Sequence, residues 1–400
     1  MFARVLLNAY PSMTLSQEQL SERLLDTQAN DDISSYHLIY DEDKLVGGMR
    51  LLDFTMNYHG QLIPAGGVGS VAVDLLHKKQ GIARELIEHY IDYYEERETY
   101  LAILYPFRPD FYHRMGFGYG TKMNQYDFSP ASLPRRAFGG QWRYLTEDDK
   151  EALRQFHNSQ ARQQNGYCLM SKFAAQALFR AHASNKTLLG YERDGVLAAY
   201  VAFNFRKAHD NNFVRNNLVI RDMEWDSPDS LNALCHFLNT QADQIERIVY
   251  ATQNNDFYRL LRDVRSSTYN MIPSVYHESN TAGSGIMYRI TNFRRFLSTT
   301  QARDFNGMDI QLTIELRDSF RPHNQGSHHI TFNQGRALVT PSGGGIVISL
   351  DIAELSALLM GAVSFVQLYQ LGLVETDSQN VAVLDELFRT RQEPRCVTAF

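Results

Sequence analysis

Gly69-Ser70-Val71-Ala72-Val73-Asp74-Leu75-Leu76-His77-Lys78-Lys79-Gln80-Gly81-Ile82-Ala83 sets a β-branched strand directly before a basic turn and a helix that opens with small residues. The first N–H groups of a helix point outward without partners, the helix dipole favours negative charge, and Gly81 lets an anion approach the backbone closely. Lys78 and Lys79 add charge-assisted contacts to a phosphate. A Lys-Lys turn before a helix is also an ordinary solvated loop, so the reading depends on the flanking elements.

Upstream, Ser16 to Leu25 has helical spacing, and Tyr36 to Tyr40 and Lys44 to Phe54 read as strands joined by an acidic turn, with Gly66 to Val73 a further strand. Downstream, Ile82 to Arg97 reads as an amphipathic helix with Ile82, Leu86, Ile87, Tyr90, Ile91 and Tyr94 on one face. Tyr100 to Leu104 is almost wholly apolar, as a strand covered on both faces is. The unit is β–α–β. Past Gly139 and Gly140 the pattern partly repeats: a helix to Gln164, a helix near Ala174 to Ala181, strands Leu188 to Glu192, Val196 to Asn204 and Asn217 to Trp225, helix Ser230 to Gln241, strand Arg247 to Ala251. The polar stretch Ser279 to Gly285 reads as a linker into an α+β segment, which opens with strand Ile286 to Ile290 and ends in a helix before Pro394.

The 400 residues are 44% hydrophobic, enough to bury several cores, which excludes disorder as the dominant state. Lysine and arginine number 39 against 45 acidic residues, a net charge of −6, so nucleic acid and anionic membrane are not expected partners. Cys168, Cys235 and Cys396 are far apart and lack C-x-x-C spacing, so neither disulfides nor a metal are expected, in keeping with a reducing cytoplasm. The start Met1-Phe2-Ala3-Arg4 does not read as a signal peptide, and Ser356 to Val374 is too interrupted for a membrane span.

After the strand Tyr100 to Leu104 comes Asp110-Phe111-Tyr112-His113-Arg114-Met115-Gly116-Phe117. With the basic turn, this resembles the GNAT acetyltransferase superfamily. Its acyl-CoA motif, Q/R-x-x-G-x-G/A, is matched by Lys78-Lys79-Gln80-Gly81-Ile82-Ala83, with lysine in the first position. The resemblance implies acetyl-CoA as co-substrate, held by those six residues and by Val71, Ala72 and Val73 at a strand bulge. It also implies Tyr112 as the acid facing the CoA sulfur. An aromatic packed on the sheet is the competing reading, in a chain with 22 Tyr.

Over the whole chain the pattern resembles the Eis (enhanced intracellular survival) family. The implied fold is α/β (α+β): tandem GNAT domains of mixed sheets flanked by helices, then a sterol-carrier-like α+β domain. The implied division is 1–140, 141–283 and 284–400, with one CoA site, since the second copy's turn Asp226-Ser227-Pro228 is acidic and lacks glycine. The resemblance further implies an N-acetyltransferase acting on an aminoglycoside-like polyamine, another small amine or a peptide lysine. Its base is then the α-carboxylate of Phe400 folded back into the site, and its assembly a hexamer. The apolar ending Cys396-Val397-Thr398-Ala399-Phe400 suits a docked rather than a frayed terminus. Glu22, Asp26 and Asp110 are candidate acceptor contacts. The alternative is a non-catalytic acyl-CoA-sensing or lipid-binding protein.

Overall fold

The computed structural model describes residues 1–180, 186–398 and 400; Ala181 and Ala399, which the sequence reading placed in a helix and in the apolar terminus, lie outside them. Contacts divide the chain into two units. One comprises Met1–Thr121, Ala161–Leu169 and Gly285–Phe400, the other Lys122–Gln160 and Met170–Ser284. This division differs from three consecutive segments: the first and last thirds of the chain form one body.

The first unit opens with helix α1, Phe2–Ala9, where the sequence reading placed no element, and helix α2, Gln17–Asn30, capped by Ser16. Strands β1 (Ser34–Asp41), β2 (Lys44–Tyr58) and β3 (Gln61–Val73) run antiparallel, helix α3 (Ile82–Glu95) crosses over, and β4 (Leu101–Leu104) lies parallel to β3. On the expected α3 face Leu86, Ile87, Tyr90, Ile91 and Tyr94 are buried, while Ile82, in the first turn at the open end of the helix, is only half-buried. Helix α4 (Pro109–His113) and the short strand β5 (Gly118–Tyr119) follow.

Two irregularities in β3 shape one end of this sheet. Gly48 faces Ala72 and Arg50 faces Gly69, so Ser70 and Val71 together oppose only Met49, a β-bulge with Ser70 at φ 52°. The pairing of β3 with β4 covers only Gly66 to Val68, after which the strands part. The second edge of β4 is taken by Met287–Ile290, which also pairs with β5. The strand expected to open the third domain therefore completes the first sheet.

A single core spans both ends of this unit. Phe54, Met56 and Tyr58 of β2 cluster with Tyr288 and Ile290 and with Leu312, Ile348, Leu355 and Leu358 of the C-terminal segment. That segment has its own five-stranded sheet, ordered Arg336–Thr340, Gly326–Asn333, Ile310–Arg317, Ile346–Asp351, Val374–Glu375. Helix Ile352–Met360 is buried along most of its length, and Ser356 accepts the Ile290 N–H at 2.9 Å.

The second unit repeats the plan. Strands Val196–His209 and Asn212–Trp225 form a long hairpin with a register shift at Arg221, helix Pro228–Thr240 crosses over, and Ile245–Thr252 lies parallel. The stretch read as a linker contains strand Asn280–Gly283, paired with Met123–Phe128 in this sheet. Its polarity is that of an exposed edge strand. No helix among the described residues is long and apolar enough to cross a membrane.

Inside the first unit Arg289 is wholly buried and bonds both oxygens of Asp318, at 2.7 and 3.0 Å. Removing one partner of such a pair strands a charge in a dry interior. Asp318→Asn is expected to lower stability by about 3–5 kcal/mol, measured by urea unfolding.

Candidate active site

The expected site residues gather at the end of β3 where its neighbours part. Ala72 and Val73 remain paired to β2, and the Val71 carbonyl accepts the Tyr10 hydroxyl at 2.9 Å. Asp74 then caps a short turn, accepting the Leu76 N–H and facing His77 Nδ1, both at 3.1 Å. Lys79 at φ 65° and Gly81 at φ 91° are left-handed on either side of Gln80. Among the described residues the N–H groups of Lys79, Gln80, Gly81, Ile82 and Ala83 have no acceptor. A Cβ on Gly81 would meet nothing within 4 Å, so this ring of amides faces open space. Lys78 and Lys79 are exposed beside it. Such an array of donors at a helix start fits a pyrophosphate.

Tyr112 lies on α4 and is 4% exposed, its ring edge-on to Phe111 and Phe117. Burial, and then the nearby Tyr10 phenol, push its pKa up to about 12. Its hydroxyl has no hydrogen-bond partner among the described residues. The turn after α4 is fixed from the far end of the chain: Arg289 donates to the Met115 carbonyl.

The C-terminus is laced down over the same unit. Pro394 O accepts from Thr121 at 2.7 Å, the Arg395 N–H donates to Asn165 O at 2.8 Å, and Cys396 O accepts the Tyr105 hydroxyl at 3.0 Å. The Phe400 ring lies 5.0 Å from both Phe54 and Tyr105. The Cys396 thiol meets buried Cys168, whose pKa is raised by that hydrogen bond and by burial.

Phe400 thus lies over Gly69, and Tyr112 belongs to the apolar cluster of Val68 against which half-buried Val71 packs. Two of the suggested acceptor contacts are engaged locally: Asp110 pairs with Arg108 at 2.7 Å and Arg114 at 3.5 Å, and Asp26 accepts from Asn30 at 2.7 Å. Tyr10 and Arg289 escaped sequence reasoning, because neither stands in a motif and both act through folding.

In the second unit the matching helix start is filled by its own groups. Ser227 accepts the Ser230 N–H at 3.3 Å, Pro228 has no N–H, and Asp226 takes the Ser230 hydroxyl at 2.6 Å and Arg193 at 3.1 Å. An anion would meet a carboxylate there instead of free amides.

Comparison with known proteins gives the family. Family models for the acetyltransferase (GNAT) domain match residues 3–120 and, as a second model, 140–290; a sterol carrier protein domain matches 293–397. The chain belongs to the GNAT acetyltransferases, a family that uses acetyl-CoA as co-substrate toward amines: it is an acyltransferase with tandem GNAT domains and a sterol-carrier-like C-terminal domain. Its architecture is that of the Eis-like group. An uncharacterized N-acetyltransferase of Streptomyces avermitilis is 22% identical over 351 residues, 84% of this chain and 82% of that protein. A GCN5-related N-acetyltransferase from Anabaena variabilis superposes with TM-score 0.81 at 19% identity, covering 100% of this chain and 96% of the other. Eis1 from Mycobacterium abscessus superposes with TM-score 0.76 at 17% identity, with 100% and 96% covered.

Loss of the Tyr105 hydroxyl removes one tie on the C-terminal segment. Tyr105→Phe is expected to cost about 1 kcal/mol and to speed amide exchange at Val397 and Thr398, measured by hydrogen exchange.

Proposed function

We propose that the chain transfers an acetyl group from acetyl-CoA directly to an amine in a ternary complex at the end of β3. The pyrophosphate is held by the amides of Gln80, Gly81, Ile82 and Ala83 with Lys78 and Lys79. Pantetheine lies along Val71 to Val73, where the bulge frees backbone donors for the thioester carbonyl. The observation that supports this reading is the run of open amides from Lys79 to Ala83 shortly after β3, with the Phe400 carboxyl lying over Gly69 of that strand.

The chemistry requires an amine to lose a proton and a thiolate to be stabilised. The Phe400 α-carboxylate is the base; an α-carboxyl with a reference pKa of about 3.3–3.7 is ionised at neutral pH. The amine nitrogen attacks the thioester carbon, its proton passes to the carboxylate, and the C–S bond breaks as Tyr112 donates to sulfur. A thiol with reference pKa about 8.5 is a stronger acid than a phenol held at about 12, so Tyr112 gives the sulfur a hydrogen bond before a whole proton. The acceptor is a small polyamine, another amine or a peptide lysine.

Tyr112→Phe is expected to lower kcat by roughly 10²–10⁴-fold with CoA affinity unchanged, measured by thiol release and calorimetry; unchanged turnover removes Tyr112 from the role. Because the phenol stays protonated until about pH 12, it contributes no falling limb to kcat between pH 6 and 10. The variant's profile should therefore keep its shape at reduced height. Calorimetry should also count one CoA per chain, and Lys78→Ala with Lys79→Ala should weaken binding; two sites, or undiminished affinity, contradicts the site assignment. The hexamer implied by the Eis resemblance is checked by light scattering.

A further inference from the structure

Gly69 has no backbone reason to be glycine. Its φ lies outside the left-handed region, where any residue is at ease, and a glycine within a strand weakens it. What stands over it supplies the reason. A Cβ at Gly69 would lie 3.0 Å from the Phe400 carboxyl carbon and 3.5 Å from its oxygen, and no other described atom falls within 4 Å.

The neighbouring positions confirm which face this is. A Cβ at Gly67 would meet the Phe54 ring at 2.4 Å, whereas one at Gly66 would meet Tyr94 on the opposite face. Residues 67 and 69 therefore share the face of Leu52 and Phe54. Along it Phe54 covers Gly67, Phe400 covers Gly69, and the two rings touch. Arg50 sits directly across the ladder from Gly69, but its Nη2 is committed to Asp31 at 2.5 Å. No ion pair joins it to Phe400 among the described residues, so the nearest cross-strand cation is already matched.

We infer that Gly69 is a positioning residue for the reaction: its missing side chain is the seat that sets the terminal carboxylate against β3, one residue before the bulge. The inference rests on the terminal-base reading. It adds that the sequence of β3, and not only the length of the chain, determines where the base stands.

The test is the series Gly69→Ala and Gly69→Val in the full chain, together with a chain extended beyond Phe400. A Cβ forces the carboxylate outward by a fraction of an ångström, and misplacement approaching 1 Å costs about 10²-fold. The expected kcat loss is about 10-fold for alanine and about 10²-fold for valine, with KM for acetyl-CoA unchanged. Thermal stability should hold or rise, because both residues suit an extended strand better than glycine. A residue that merely supported the fold would lose stability and activity together. In the extended chain, whose carboxylate is already displaced, Gly69→Val should lower the residual rate no further. Full kcat in Gly69→Val beside an inactive extended chain overturns the seat alone, as does a Gly69→Val loss that persists in the extended chain. A fully active extended chain overturns the terminal base itself.

Discussion

Strand β4 has four residues, all buried, and its second edge must be paired. The partner is Met287–Ile290, delivered from beyond the entire second unit. Most of the first unit's organisation depends on this pairing. It draws the C-terminal segment onto the first sheet, fuses their apolar residues into one core, and carries Arg289 to the turn behind Tyr112. With that segment anchored, its last residues run back past Thr121, Asn165 and Tyr105 to the parting of β3 and β4.

The duplicated plan shows how little of a fold is its chemistry. Both units have a long bulged hairpin, a crossover helix and a parallel strand. They differ at the helix start. In one, left-handed Lys79 and Gly81 leave amides open; in the other, Ser227, Pro228 and Asp226 use up the same positions. The acidic proline turn was legible in the sequence, because the residues that fill the helix start are themselves local.

The same locality explains what was missed. Helix α1 was overlooked because its apolar residues, Phe2, Val5 and Leu6, fit too short a stretch to show a period, and the helix is held by packing on Leu20, Leu45 and Ala72. Ser279 to Gly285 reads as a linker because an edge strand there carries small and polar residues. The expected strand Ile286 to Ile290 is present, but nothing within it tells which sheet it joins. Cys168 and Cys396 lie apart in the sequence and meet only in the folded unit.

From the sequence alone came the basic, glycine-containing turn from Lys78 to Ala83 as the candidate anion site, the amphipathic α3, the buried β4, the placing of Tyr112 after it and the apolar character of the terminus. Each rests on residues within a few positions of one another, where backbone geometry and periodicity act directly. Only the tertiary structure decided that the first and last thirds of the chain share a core, that Arg289 braces the Tyr112 turn, and that Phe400 lies over Gly69. Those are contacts between residues tens to hundreds of positions apart, and they follow from the need to pair β4's free edge and bury what lies beside it.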